Sequence, residues 1–130
     1  MVVDTSALFA VLNNEPLSAR VEAAMLAAPR LAISAATLVE ASIVADSKRQ
    51  PDGTAELDLL LNELRVEIMP VIREHAVLAR TAYHDFGKGR HPAGLNFGDC
   101  FSYALARALG EPLLFVGNDF GRTDIEVATY

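Results

Sequence analysis

Four acidic side chains stand where a carboxylate could do chemistry: Asp4, Glu40, Asp99 and Asp119. Asp4 directly follows Met1-Val2-Val3, a short apolar run with two β-branched residues that suits a buried strand. An acid there projects past the strand's carboxyl end, and it is equally a natural N-cap for a helix opening at Thr5-Ser6. Ser6 could also serve as that cap. Glu40 lies within Leu38-Val39-Glu40-Ala41-Ser42-Ile43-Val44, and its neighbours one turn away (Ala36, Thr37, Ile43, Val44) do not make a charged surface. A charge in such company needs a partner or a purpose. Asp99 sits in Leu95-Asn96-Phe97-Gly98-Asp99-Cys100-Phe101, where it reads as a first-turn acid with Asn96 as cap, a position compatible with a metal ligand. Asp119 follows Val116-Gly117-Asn118, a turn-rich stretch, and Asp124 competes with it from a less favourable place.

Carboxylates gathered in one crevice are hard oxygen donors. They suit Mg2+ or Mn2+ and not zinc or copper. Such ions polarise phosphoryl oxygens, acidify water and can clamp both sides of an in-line displacement. Other chemistries find less support. The three histidines (His75, His84, His91) lack metal-site spacing, and His75 and His84 read as helix-surface residues. Cys100 is the only cysteine, so an internal disulfide or a four-thiolate zinc site is excluded, and it reads as a small core residue. No Walker loop, dinucleotide fingerprint or serine elbow is present. The net charge of −6 argues against a general nucleic-acid coat protein. It does not exclude a nuclease, because bound cations invert the local sign. The short basic run Lys88-Gly89-Arg90-His91 is the candidate phosphate contact, with Lys88 and Arg90 as the RNA-binding candidates. Its alternative is a solvated charged loop.

The elements that must position these residues alternate along the chain. Strands are expected at Met1–Val3, Leu31–Ser34, Val66–Met69 and Leu113–Val116, with a fifth at the sheet edge over Ile125–Ala128. Helices are expected at Ser6–Leu12, Ser18–Ala28, Ala35–Arg49, from a Thr54 cap through Leu64, Arg73–Phe86, and Phe97–Leu109 with Gly110 at its end. Gly87–Gly98 holds four of the eight glycines and reads as a loop. Strands alternating with helices imply βαβ units around a mostly parallel sheet covered on both faces. Ligands of such sheets bind beyond the carboxyl ends of the strands, where the acids fall. At 130 residues, 52% hydrophobic and 22% charged, the chain suits one domain over 1–130 with a real core. It has no apolar run of membrane-spanning length and no leader pattern, so a cytoplasmic location is expected.

Asp4-Thr5-Ser6 after an opening strand, mid-helix Glu40, the run Gly94-Leu95-Asn96-Phe97-Gly98-Asp99-Cys100 and the closing Leu113-Leu114-Phe115-Val116-Gly117-Asn118-Asp119-Phe120 together resemble a PIN domain. They are similar in particular to the VapC toxins of toxin–antitoxin pairs. No single motif is specific, but the ordered set spans nearly the whole chain. The resemblance implies a three-layer α/β/α sandwich and Mg2+- or Mn2+-dependent endoribonuclease activity. By matching motif it carries over Asp4, Glu40 and Asp99 as metal ligands, Asp119 as an assisting acid, and the hydroxyls beside Asp4 as supports, Ser6 foremost. It also implies a VapB-like antitoxin as partner. The apolar stripes around Leu38 and Leu57–Leu64 are the candidate surfaces for that partner or for a homodimer. The competing functions are a catalytically inactive PIN-like interaction module, a receiver-like phosphoacceptor and a DNA nuclease. The receiver is disfavoured because Leu113–Asp119 supplies no lysine.

Overall fold

The computed structural model describes all 130 residues. Four short parallel strands form its centre: β1 (Val2–Val3), β2 (Ala32–Ser34), β3 (Glu67–Met69) and β4 (Leu113–Leu114), in the order β3-β2-β1-β4. Six helices join them: α1 (Thr5–Leu12), α2 (Ser18–Ala27), α3 (Ala35–Lys48), α4 (Gly53–Glu63), α5 (Arg73–Phe86) and α6 (Phe97–Leu109). The two-residue period of the strands sorts their side chains onto two cores. Val2, Ala32 and Leu113 pack with Cys100, Tyr103 and Leu105 on the side of α5 and α6. Val3, Ile33 and Leu114 pack with Leu8, Val21, Met25 and Leu57 on the side of α1 to α4. Helices on both faces explain why β1, β2 and β4 are buried on both sides. The result is the expected three-layer α/β/α sandwich.

The connections create the crevice. From β1 the chain steps to β2 and then β3 through α1–α4 on one face. It then returns through α5 and α6 on the other face and lays β4 on the free side of β1. The strand order therefore reverses between β1 and β4, and such a switch point leaves an opening at the strands' carboxyl ends.

Several boundaries differ from those expected. β4 stops at Leu114 because the Val116 N–H is taken by the Ser6 hydroxyl at 3.1 Å instead of a neighbouring strand. The expected fifth strand shrinks to one parallel bridge, Val127 beside Leu113, since β4 is too short to pair with more. β3 is an edge strand, and its Glu67 and Ile68 are exposed. Thr54 does not cap α4. The helix opens at Gly53, where a Cβ would lie 2.3 Å from the Ala45 carbonyl oxygen of α3. Only glycine permits that approach of the two helices. The Leu57–Leu64 stripe is largely consumed by the protein's own core, with Leu57 and Leu61 buried and Leu60 and Leu64 partly so. The apolar side chains left in solvent on α3 and α4 are Val39, Ile43 and Leu59. His75 is buried and not a surface residue, because it shares the inner stripe of α5 with Ala79 and Ala82. His84 is exposed, as expected. No helix is long and apolar enough to cross a membrane.

Candidate active site

Asp4 is the residue on which the crevice is built. It leaves β1 and caps α1, accepting the Ser6 N–H at 3.0 Å and the Ser6 hydroxyl at 2.7 Å on Oδ2. Its Oδ1 accepts the Ser102 hydroxyl of α6 at 2.7 Å. With that proton committed, the Ser102 oxygen is left to accept from the Thr37 hydroxyl of α3 at 3.1 Å. Asp4 is only 4% exposed, so these donors are what make a carboxylate tolerable there. Its cap role and its place at the strand end thus coincide, and Ser6 supports the acid without capping the helix in its stead.

Glu40 reaches the same crevice from α3. The Thr5 hydroxyl donates to its Oε1 at 2.8 Å. Its carboxylate lies against the first turn of α6 at Gly98, where a Cβ would stand 1.5 Å from Oε2. A glycine at this position is therefore the space in which the Glu40 head group sits. One residue on, Asp99 forms a capping box with Asn96: the Asp99 N–H donates to Asn96 Oδ1 and the Asn96 N–H donates to Asp99 Oδ2, both at 2.8 Å. Burial pushes the Asp99 carboxyl up to about 7. The Asn96 N–H pulls the other way, and the charges of Asp4, Glu40 and Asp119 push it further up. Those three perturbers show that acids from four separate segments share one electrostatic neighbourhood.

Asp119 is exposed, opens the single 3-10 turn Phe120–Arg122 and makes no cap bond with its side chain. Its competitor Asp124 belongs elsewhere: it accepts the Tyr103 hydroxyl at 2.6 Å and pairs with Arg107. The Tyr103 hydroxyl and the Arg107 guanidinium hold Asp124 below the usual carboxylate range, against the effect of its partial burial. Lys88 and Arg90 are exposed and lie outside the acid cluster, on the loop that joins α5 to α6.

As the side chains stand, no three Asp, Glu, His or Cys residues converge on a single coordination point. The donor set nevertheless fits a hard divalent cation. It is all oxygen, and Mg2+ commonly takes one or two carboxylates and keeps several waters. The space at Gly98 holds one candidate head group directly beside the helix turn that bears the next. Thr37 and Ser102 were not singled out by their sequence neighbourhoods. The available signal was spacing: Thr37 precedes Glu40 by three, and Ser102 follows Asp99 by three, so each shares a helix face with an acid.

The comparison with known proteins decides the family. The PIN domain model matches residues 1–126. The chain belongs to the PIN-domain family. Among curated relatives it is 50% identical over 129 residues to Ribonuclease VapC28 of Mycobacterium tuberculosis, covering 98% of this chain and 97% of that protein. This places it with the VapC ribonucleases of that family. Solved structures share the PIN fold at low identity. One is the crystal structure of Mycobacterium tuberculosis VapC20, a sarcin-ricin loop cleaving toxin, with a TM-score of 0.80 and 16% identity over 99% of this chain and 98% of that one. Another is a toxin-antitoxin complex from Klebsiella pneumoniae, with a TM-score of 0.74 and 18% identity over 99% of this chain and 97% of that one.

The geometry at Gly98 and Asp99 can be tested in two ways. In Gly98→Ala the new methyl displaces the Glu40 head group, which is the flexible end of a side chain. Alanine is the better helix former, by less in a first turn than the ~1 kcal/mol of a helix interior, so the melting temperature should stay close to that of wild type. Mn2+ affinity by calorimetry should fall by about 10- to 100-fold; unaltered affinity would remove the space at Gly98 from the site. The second prediction concerns pH. Asp99 titrates near 7 when folded against 3.8 as a free group, so the folded chain holds an extra proton between those values. Metal-free protein should gain stability as pH falls through that window, until ion-paired acids such as Asp124 begin to protonate. Asp99→Asn should flatten this slope and raise the metal-free melting temperature at neutral pH by a few degrees. Melts in chelator across the pH range test it, and an unchanged slope in the mutant counts against it.

Proposed function

We propose that this chain is a Mg2+- or Mn2+-dependent endoribonuclease acting as the toxin of a toxin–antitoxin pair, with Asp4, Glu40 and Asp99 holding the cation and Asp119 assisting. The observation that carries this reading is the gathering of acids at one strand-end crevice, with Asp4 at the end of β1, the Glu40 head group against Gly98 and Asp99 on the next residue, where burial first and the charges of Asp4, Glu40 and Asp119 after it raise the Asp99 carboxyl. A half-buried acid such as Asp99 beside other carboxylates costs stability when charged, so such a gathering calls for a counter-charge. A divalent cation supplies that charge, polarises a phosphoryl oxygen and lowers the pKa of water. The chain's own residues do the positioning. Ser6, Ser102 and Thr37 hold Asp4 rigid, Thr5 and the space at Gly98 orient Glu40, and Asn96 orients Asp99. Supports of this kind limit how far each carboxylate must move to share a cation.

The same negative field suits a basic partner. An arginine from an antitoxin can stand in for the cation's charge. Val39 and Ile43, one turn apart on α3 and flanking Glu40, are exposed and offer such a segment an apolar seat.

Purified chain incubated with total cellular RNA should produce mapped new ends with Mg2+ or Mn2+ and none in chelator. Asp99→Asn should reduce the rate on the order of 100-fold or more while the fold persists. A folded Asp99→Asn that cuts at the wild-type rate would defeat the assignment. For the partner, Ile43→Asp should abolish co-purification with the product of the neighbouring reading frame and leave RNA cleavage by the free chain intact. Co-purification that survives Ile43→Asp would move the partner off α3.

A further inference from the structure

A chain with 17 Asp and Glu against 11 Lys and Arg holds an open groove whose lining contains no acid. The groove measures about 840 Å³ and runs between α5, the loop after it and the first turns of α6. Arg80, Lys88 and Arg90 line it, and none of the three is spent in an ion pair. Tyr83, Phe97 and Phe101 line it too. The Arg90 guanidinium lies 5.9 Å from the centre of the Tyr83 ring. Phe97 rests edge-to-face on Phe101 at 5.0 Å. It is nevertheless 78% exposed, more than any other large apolar side chain of the protein. Its contact with Phe101 needs far less than a whole phenyl ring in solvent, so folding alone does not account for it.

Phe97 also marks where the groove leads. It is the first residue of α6, followed directly by Gly98, which accommodates Glu40, and then by Asp99. A planar group stacked on this ring is held at the edge of the acid cluster.

We propose that this groove is the bed for single-stranded RNA next to the scissile bond, with a base stacked on Phe97 and the neighbouring phosphates on Arg80, Lys88 and Arg90; the assignment rests on the ribonuclease reading of the acids. Free cations together with open aromatic rings match a strand that presents phosphates and π-faces in alternation. The charge pattern favours this face of the protein, where the adjoining shallow pocket that shares Arg80 and His84 is acid-free as well. A net charge of −6 repels a polyanion generally, so an acid-free cationic strip restricts where one can lie. Stacking tolerates any base, so Phe97 fixes the position of the strand, and residues around it set the preference. Phe97 is thus a positioning residue for the substrate.

The test uses the full chain in chelator, so that nothing is cut. The probe is a short single-stranded RNA carrying a fluorescent adenine analogue whose emission is quenched on stacking. Phe97→Leu keeps the apolar contact with Phe101 and removes the aromatic face. It should bind about tenfold more weakly and lose the quench, and Phe97→Tyr should restore both. The triple change of Arg80, Lys88 and Arg90 to Gln should lower the slope of log affinity against log salt by about 2. Wild-type affinity and quench in Phe97→Leu would overturn the proposal. So would a Phe97→Leu protein that keeps its RNA affinity but loses self-association or its antitoxin, since the groove would then belong to a protein. Cleavage in Mn2+ is read separately. A wild type that binds and quenches but cuts nothing refutes the nuclease reading and leaves the groove as an RNA-binding surface with no scissile bond beside it. A wild type that cuts, with Phe97→Leu cutting the same bonds at the same KM, refutes the groove alone.

Discussion

The burial of one carboxylate governs this structure. Asp4 is almost wholly removed from solvent at the end of a central strand, where an acid survives only if its lone pairs are met by donors. Those donors come from the Ser6 backbone and hydroxyl and from Ser102, with Thr37 behind Ser102. Ser6 in turn accepts the Val116 N–H just beyond β4. The bonds that make the charge bearable therefore tie α1, α3, α6 and the exit of β4 to one point. No buried side-chain nitrogen or oxygen anywhere in the chain lacks a partner. The polar network is complete, and a complete network is what lets buried polarity specify one arrangement instead of loosening it.

Around that fixed acid the others are held less tightly. Glu40 has one recorded donor, Asp99 has the Asn96 amide, and Asp119 has none on its side chain. The gradient from satisfied to open carboxylates runs outward from the sheet, and an incoming positive group meets the open ones first. The N-terminus of α6 adds its own partial positive charge beneath Asp99. That charge and the capping box offset part of the repulsion that the neighbouring acids impose on Asp99. What remains is a standing preference for a cation or a basic side chain, and either would stabilise the folded form by mass action.

Much of this was legible in the sequence, and the reasons are specific. Doubly covered parallel strands are short and apolar on both sides, so Val2-Val3 and Leu113-Leu114 could be found without periodicity. Asp4, Glu40 and Asp99 stood out because each sits against apolar neighbours or at an element's end. Thr37, Ser102 and Gly98 did not stand out. A hydroxyl or a glycine in a helix has many ordinary explanations, and theirs depends on α3 and α6 lying side by side. Asp119 and Asp124 could not be separated along the chain either. The structure divides them because Tyr103 and Arg107, four apart on α6, capture Asp124. His75 was misplaced for a related reason: small alanines at Ala79 and Ala82 mark a buried stripe only weakly.

The sheet order has a consequence in time. Synthesis releases β1, β2 and β3 with α1 to α4 first, and these pack mostly on one another, sequence neighbour on sequence neighbour. Ser102 and the Val116 amide, which complete the hydrogen bonds around Asp4, emerge only after all of these. So do Asp99 and Asp119. An unfinished chain therefore carries Asp4 and Glu40 with neither of the other acids and without the strand that closes the crevice.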